Sequence, residues 1–405
     1  MSLRVDKMYL HLKENVMLHW WGDSIVLVYR MTDWYYLSIE EVLFFSEAEK
    51  NNNIAEIKKA IATMVGEKET SEEFVATIIY NFSDYFFLSD DDEELNYSGK
   101  KGYYLPYELS ISLTNRCPHS CVHCYKGAGP DERNSVDIST IRLQAFLQKA
   151  MQYVPYISFT GGDSVCHHDI VPFIKTVSGS SHITILTSGY YLNNVVLSSI
   201  IEAHATVNVS VYSSNKKTHD SFVRLSGSFD HIMSNIDKCI NNGVQVAVST
   251  LLTNENLNDV KSLIEQMHER GVSCFSIGTI SPVGRAKNGP IEWVVPKKQY
   301  VSYINDLKKS FPHLVINTFE KMDTISIPFS PFKCFAGSFS WSIFEDGSIG
   351  PCGVYYNKQF KIGSIDDDFL VLGAIMPRYY ECIKQSICGK EFIDKNNDCI
   401  FESIQ

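Results

Sequence analysis

Three of the chain's eleven cysteines crowd into one short stretch, Cys117-Pro118-His119-Ser120-Cys121-Val122-His123-Cys124-Tyr125, with the spacing C-x3-C-x2-C. Thiolates are soft ligands suited to iron or zinc. A structural zinc site closes a tetrahedron with four protein ligands, and no fourth ligand is obvious beside these three. Three thiolates fit a four-iron cluster in which one iron keeps an open position. That iron can chelate a small molecule through an amine and a carboxylate. His119 and His123 are alternative ligands, although imidazole is not the usual ligand of such clusters. Zinc and a chance grouping are the competing readings. A second, looser set lies near the end of the chain: Cys334, Cys352, Cys382, Cys388 and Cys399. Cys239 and Cys274 fall singly and read as small core hydrophobes, the commoner role of a free cysteine. Cys166 follows Gly161-Gly162-Asp163 closely and is read as a non-ligand.

A chain of 405 residues, 44% hydrophobic and 20% charged, is an ordinary soluble globular composition with room for two or three domains. No apolar run is long enough to cross a membrane, and no apolar run follows Met1-Ser2-Leu3-Arg4 as a signal peptide requires. A cytoplasmic location is expected. In that reducing compartment, cysteine clusters bind metals or do chemistry more often than they form disulfides. The net charge of −11 disfavours general binding to nucleic acid.

The elements that must position these residues fall into blocks. Residues 1–90 read as a small domain: strands over 24–29 and 34–37 around a Thr32-Asp33 turn, then three helical stretches. Ser38 with Glu41, and Thr70 with Glu73, have capping-box spacing. A hairpin followed by three helices is the pattern of a winged helix-turn-helix. Residues 91–104, with an acidic run from Asp90 to Glu94, read as a solvated linker. From 105 to 290 short β-branched runs alternate with helical periods. Strands are expected over 108–113, 156–159, 182–186, 207–212, 245–251 and 274–278, with helices near 139–152, 169–177, 193–203, 229–241 and 257–269. Such alternation builds a parallel sheet. Six units fall short of a closed eight-unit barrel, so the expectation is an α/β fold: a partial (β/α)6 TIM-like barrel with its chemistry in the loops after the strands. Residues 291–330 read as a bridge with a helix near 297–310, and 331–405 as a small metal-stapled domain.

These motifs, in this order, resemble the radical S-adenosylmethionine (AdoMet, SAM) superfamily over roughly residues 107–290. Its signature is C-x3-C-x2-C followed by an aromatic, here Tyr125, after the first strand. Thr160-Gly161-Gly162-Asp163 after the second strand is similar to the family's Gly-Gly-Glu motif with a shorter acid. The resemblance implies that Gly161, Gly162 and Asp163 hold the AdoMet amino group. Thr187-Ser188-Gly189 resembles the family's Thr-Asn-Gly turn, with Ser188 in place of Asn. Ser210 matches a polar position near the ribose, and Arg224 an arginine near the AdoMet carboxylate; from the residues alone, Arg224 reads equally as a surface or ion-paired arginine. Pro282-Val283-Gly284-Arg285-Ala286 also has the family's look. Cys334 and Cys352 frame Gly347 with the spacing C-x12-G-x4-C, similar to the start of a SPASM or twitch domain. Tyr379 and Phe392 replace two cysteines of a full SPASM set. Cys334, Cys352, Cys382 and Cys388 suffice for one auxiliary iron–sulfur cluster, of 4Fe-4S or 2Fe-2S type, with Cys399 as an alternative ligand. Structural zinc and unliganded thiols are the alternatives there.

The combination resembles peptide-modifying enzymes of the sactisynthase type, whose PqqD-like N-terminal module binds the leader of a precursor peptide, often as an added strand. Trp34, Tyr35 and Tyr36 are candidates for that role, although two of the three are expected to be core. By resemblance, a reduced 4Fe-4S cluster on Cys117, Cys121 and Cys124 cleaves AdoMet to a 5′-deoxyadenosyl radical, which abstracts hydrogen from the peptide; a thioether or another crosslink follows. Flavodoxin or ferredoxin would supply the electron. Epimerisation, action on another protein or a small molecule, and a non-enzymatic iron–sulfur regulator bound to DNA are the alternatives. The module lacks a basic stripe, and Lys58-Lys59 does not make one.

Overall fold

The computed structural model describes residues 5–29, 33–66, 68–130, 136–280, 283–289, 291–318, 337–354 and 360–385. The chain divides into two compact units that meet between Tyr107 and Glu108.

The first unit opens with β1 (Tyr9–Leu12), β2 (Val16–Trp21), β3 (Ser24–Tyr29) and β4 (Asp33–Tyr36), continues with α1 (Ile39–Lys50), α2 (Ile54–Val65) and α3 (Lys68–Asn81), and closes with β5 (Phe86–Ser89) and β6 (Tyr97–Gly99). Four strands form a sheet in the order β4-β3-β2-β6, and β1 pairs with β5. Leu18, Trp20, Ile25 and Leu27 of the sheet pack with Phe44, Phe45, Ile57 and Ile61 of the helices. The expected capping box at α1 is present: the Glu41 N–H donates to the Ser38 hydroxyl, and the Ser38 N–H donates to the Glu41 carboxylate. The second expected box is not a cap. Lys68 and Glu69, both good helix formers, carry the first turn of α3 past Thr70, which lies inside the helix with Glu73. The expected hairpin is β3–β4, but β2, not anticipated, is the sheet's fully buried centre. Inside it His19 is held by Ser98 at 2.9 Å and the Leu105 carbonyl at 3.1 Å.

Residues 91–104 are not a free spacer. The acidic side chains from Asp90 to Glu94 are solvated, as their charge requires. Their backbone, however, is tied down: Asn52 donates to the Glu93 carbonyl at 2.7 Å, and β6 pairs in parallel with β2.

The second unit runs β7 (Glu108–Ser112), α4 (Thr140–Ala150), β8 (Tyr156–Thr160), α5 (Ile170–Val177), β9 (His182–Thr187), α6 (Asn194–Glu202), β10 (Thr206–Ser210), α7 (Lys216–Val223), α8 (Ser228–Asn241), β11 (Val246–Leu251), α9 (Val260–Glu269), β12 (Cys274–Gly278), α10 (Lys297–Ser310), β13 (Val315–Thr318), β14 (Ser340–Ile343), β15 (Ser348–Gly350), β16 (Gly363–Ser364) and α11 (Phe369–Gln385). The six expected strands and five expected helices are all there. The expected helix over 297–310 is α10. The short, polar α7 was not expected.

The sheet has ten strands rather than six, in the order β13-β12-β11-β10-β9-β8-β7-β14-β15-β16. Eight consecutive strands, β13 through β14, pair in parallel, and the last two pair antiparallel. Among the described residues, β13 and β14 do not pair with each other, so the row stays open. Of the four additions, β13 comes from the expected bridge and β14, β15 and β16 from the expected C-terminal domain. β14 joins β7 because its apolar residues, Trp341 and Ile343, are fully buried there. Phe369 of α11 packs at 5.5 Å from Phe146 of α4 and at 5.8 Å from Trp341. The described part of residues 331–405 is therefore built onto the parallel sheet rather than set apart from it. Every loop that follows a parallel strand opens at one edge of this sheet, the place where α/β folds put their chemistry.

Candidate metal centre

The three-cysteine loop leaves β7, now an interior strand, and its backbone is fastened from several sides. The Cys117 N–H donates to the Gly129 carbonyl at 3.1 Å. The Ser120 and Val122 N–H groups donate at 3.1 Å to the Val223 and Phe222 carbonyls, in the last turn of α7. The final carbonyls of a helix lack partners within it, so this unexpected helix ends against the loop and receives its N–H groups. Arg224 then caps α7 in the left-handed conformation, at φ 56°. A third fastening comes from beyond β12. The Arg285 N–H donates to the Cys124 carbonyl at 2.9 Å, its Nε to the Cys121 carbonyl at 2.8 Å and its Nη2 to the Ala128 carbonyl at 2.5 Å. A Cβ on the preceding Gly284 would stand 2.0 Å from the Tyr125 carbonyl oxygen, so only glycine lets the two backbones approach this closely.

The Gly-Gly-Asp turn after β8 buttresses the stretch leading into the loop. The Gly162 N–H donates to the Thr114 carbonyl at 2.6 Å and the Asp163 N–H to the Arg116 carbonyl at 2.8 Å. A Cβ on Gly161, whose φ is +146°, would lie 2.4 Å from the Thr114 oxygen; one on Gly162 would lie 2.4 Å from the Arg116 oxygen. Asp163 is 1% exposed. Its carboxylate accepts from the Val165 N–H at 3.3 Å, the Ser188 N–H at 3.1 Å and the Ser188 hydroxyl. Burial raises its pKa, and the hydrogen bonds from Ser188 and Thr187 act in the opposite sense. The carboxylate thus ties the turn after β8 to the Thr187-Ser188-Gly189 turn after β9. The same carboxylate is the one expected to meet the AdoMet amino group, and its bonds to Ser188 fix where it stands.

Cys117, Cys121 and Cys124 are free thiols. Burial pushes the Cys117 thiol far up, with Asp163, Cys121 and Cys166 adding to it. Burial also pushes Cys121 up to about 12, helped by Cys124 and opposed by the Arg285 and Arg224 guanidinium groups. Cys117 and Cys121, which burial would keep protonated, suit a metal together with Cys124, because coordination deprotonates a thiol outright. The donor set, all sulfur with two flanking cations, fits an iron–sulfur cluster. Tyr212, two residues past β10, faces the same place. Burial lifts its hydroxyl well above the ordinary range, the three cysteines add to the rise, and a hydrogen bond with Ser210 opposes it. Its ring stacks on Phe222 at 5.6 Å, and Phe222 stacks on Trp293 at 4.6 Å. Tyr212 and Arg285 were missed as site residues in the sequence. Their signal was positional: both follow a parallel strand.

The two loop histidines are built into the fold. His119 Nε2 is 2.7 Å from the Ser228 hydroxyl. His123 packs at 4.5 Å against the Tyr212 ring, and its Nδ1 has no hydrogen-bond partner among the described residues. Burial lowers both to about 4, which keeps them neutral. Neither imidazole gains a described role as a ligand.

Tyr125 is 36% exposed. Burial raises its hydroxyl pKa, and Cys124, Cys352 and Glu345 add to the rise, so Cys352 lies near the signature aromatic. Next to it Lys126 pairs with Glu345 at 2.5 Å, their side chains 13% and 14% exposed, and both bond to Ser112 at the end of β7. This knot joins the loop to the turn between β14 and β15. Cys382 is exposed on α11. Cys334 and Cys388, like Cys399, lie outside the described residues. The structure therefore brings together Cys117, Cys121, Cys124, Tyr125, Gly161, Gly162, Asp163, Ser188, Ser210, Arg224 and Cys352, and leaves the rest of the C-terminal set open.

Comparison with known proteins follows the same lines. Residues 111–267 match the model of the radical SAM superfamily. The antilisterial bacteriocin subtilosin biosynthesis protein AlbA of Bacillus subtilis (strain 168) is 24% identical over 280 residues, covering 67% of this chain and 60% of AlbA. The match thus spans less than two thirds of that relative. The sporulation killing factor maturation protein SkfB of the same organism is 25% identical over 295 residues, covering 68% of this chain and 67% of SkfB. The crystal structure of Streptococcus suis SuiB bound to precursor peptide SuiA superposes with a TM-score of 0.67 at 15% identity, covering 93% of this chain and 91% of SuiB. That likeness shows a shared fold.

Proposed function

Because residues 111–267 match the radical SAM superfamily model, we propose that this chain is a radical AdoMet enzyme that modifies a ribosomally made precursor peptide and closes a thioether or another crosslink in it. The observation that carries this reading is the gathering of three free, buried or half-buried thiols on one loop at the active edge of an open parallel sheet. The peptide substrate is supported by the names of AlbA and SkfB, which concern biosynthesis of a bacteriocin and maturation of a killing factor, and by the peptide bound to SuiB.

A 4Fe-4S cluster on Cys117, Cys121 and Cys124 would supply one electron for reductive cleavage of AdoMet to a 5′-deoxyadenosyl radical. The protein's own part is to bind, orient and exclude water. The backbone of Gly161 and Gly162 and the Asp163 carboxylate, steadied by Ser188, would meet the AdoMet amino group. Ser210 and Tyr212 flank the same space, with Ser210 toward the ribose. Arg224, whose charge acts on Cys121, would neutralise the AdoMet carboxylate. Tyr125 and the aromatic wall of Tyr212, Phe222 and Trp293 keep the site dry. An auxiliary cluster on Cys334, Cys352, Cys382 and Cys388 fits the position of Cys352 beside Tyr125.

The N-terminal unit reads as a PqqD-like, winged-helix leader-binding module. Among the described residues β4 is an edge strand of the sheet, with Tyr35 exposed and Trp34 and Tyr36 half-buried. An open edge offers unpaired N–H and C=O groups to an incoming strand. DNA binding is disfavoured because Lys58 is paired with Asp6 at 2.6 Å and Lys59 with Glu56 at 3.4 Å.

Anaerobic incubation of the reconstituted full chain with AdoMet and a reductant tests the central step. 5′-Deoxyadenosine and methionine are expected, and neither should form with a Cys117→Ala/Cys121→Ala/Cys124→Ala variant. AdoMet left intact by the reconstituted parent would favour a regulator instead.

A further inference from the structure

We propose that Arg285 is a positioning residue for the cluster, clasping the second half of the three-cysteine loop, from Cys121 to Ala128, and holding a fixed positive charge beside it. The inference rests on the reading that Cys117, Cys121 and Cys124 hold an iron–sulfur cluster. Arg285 comes from a separate segment, the 3-10 turn Gly284–Asn288 after β12, yet it makes three hydrogen bonds to the loop through its N–H, Nε and Nη2. The acceptors are the carbonyls of Cys124, Cys121 and Ala128, so two of the three residues whose sulfurs are at issue are gripped by their own backbone. A planar guanidinium suits this because its donors leave in fixed, divergent directions; a lysine ammonium cannot span the same carbonyls. Gly284 allows the approach, since any side chain there would collide with the Tyr125 backbone.

Two further facts separate this from ordinary loop packing. Among the described residues its side chain donates to neutral carbonyls, and no carboxylate there forms an ion pair with it. Its charge thus stands beside Cys121, whose thiol it acts on. A cation beside an iron–sulfur cluster favours the more negative, reduced state, and hydrogen bonds around the sulfurs tune the same equilibrium. Groups that orient ligands from outside the coordination shell, when removed, typically cost about 10–100-fold in metal affinity.

The test uses the full chain, reconstituted anaerobically, as parent, Arg285→Met, Arg285→Lys and Arg285→Gln. Iron loss to a chelator and the midpoint potential of the AdoMet-responsive paramagnetic signal are read together. Arg285→Met is expected to lose iron about 10–100-fold faster, with a more negative midpoint potential. Arg285→Lys keeps the charge without the span: its potential should stay near the parent's while its iron loss is intermediate. Arg285→Gln should show the more negative potential even if Arg285→Met fails to fold. Parent-like retention and potential in the Met or Gln variant overturn the proposal. If the triple cysteine variant holds the same iron and the same AdoMet-responsive signal as the parent, the cluster assignment itself fails, and the inference with it.

Discussion

At the residue scale the site is defined by where a Cβ can and cannot go. Gly162 faces the Arg116 carbonyl oxygen, 2.4 Å from where a Cβ would be, while a Cβ on Gly129 would meet nothing nearer than the Ser120 hydroxyl at 3.5 Å. Both glycines adjoin the cysteine loop. Gly162→Ala is expected to displace that loop, costing about 1–3 kcal/mol by overpacking and with it AdoMet binding. Gly129→Ala should stay close to the parent. Equilibrium AdoMet binding to the two reconstituted variants checks the contrast, and equal affinities would refute it. A second expectation concerns pH. His19 and His219 are both fully buried, and burial lowers each to about 4. In the unfolded chain each titrates near about 6.5. Between those values the unfolded state binds protons that the folded state refuses, so stability is full above the upper value and declines as pH falls toward the lower. The limit is about 3 kcal/mol per histidine. His219 Nδ1 accepts the Tyr212 N–H at 3.2 Å. An Asn oxygen can take that bond without titrating, so His219→Asn should flatten the acid slope of urea unfolding by about one proton. An unchanged slope would count against a neutral, buried His219.

At the scale of elements the knot of Lys126, Glu345 and Ser112 links the loop after β7 to the turn between β14 and β15. Removing one partner of a buried pair leaves a lone charge and costs about 3–5 kcal/mol, whereas replacing both with apolar residues is often neutral. Glu345→Gln should therefore lower the thermal midpoint clearly, and Lys126→Met/Glu345→Leu should recover much of it. A double variant no better than the single one would argue that the ion pair itself matters. The alternation of strands and helices was legible because each strand is a β-branched run and each helix has an apolar face: Val246–Leu251 and Val260–Glu269 need little context. The C-x3-C-x2-C loop was legible because its residue types have few other uses. What could not be read locally depends on distant partners. β14 becomes a barrel strand only because β7, more than two hundred residues earlier, offers it an edge. The short α7 carries a polar sequence, KKTHDSFV, whose helix is set by the Asn215 cap and the loop docked on its end. That the Asp163 carboxylate also ties the turn after β8 to Ser188 is set by the spacing between two turns rather than by either motif. Arg285 had the right company in sequence but no visible purpose until its carbonyl partners were in place.

At the scale of the whole molecule, two compact units carry two tasks in the proposed function: peptide capture by the N-terminal unit, chemistry by the parallel sheet. No helix among the described residues is long and apolar enough to cross a membrane, and the net charge of −11 argues against a polyanionic partner. A fluorescently labelled leader segment of the precursor should bind the full chain with weak dependence on salt, while duplex DNA should show no tight, steeply salt-dependent binding. The reverse pattern would favour the regulator. The central claim, that a radical formed at Cys117, Cys121 and Cys124 crosslinks a peptide, is met most directly by co-expressing the chain anaerobically with candidate precursor peptides from the same genome and weighing the products. The expected result is the loss of two hydrogens per crosslink with the parent and none with the Cys117→Ala/Cys121→Ala/Cys124→Ala variant. An unchanged peptide mass with the fully reconstituted parent, or the same loss with the triple variant, would contradict it.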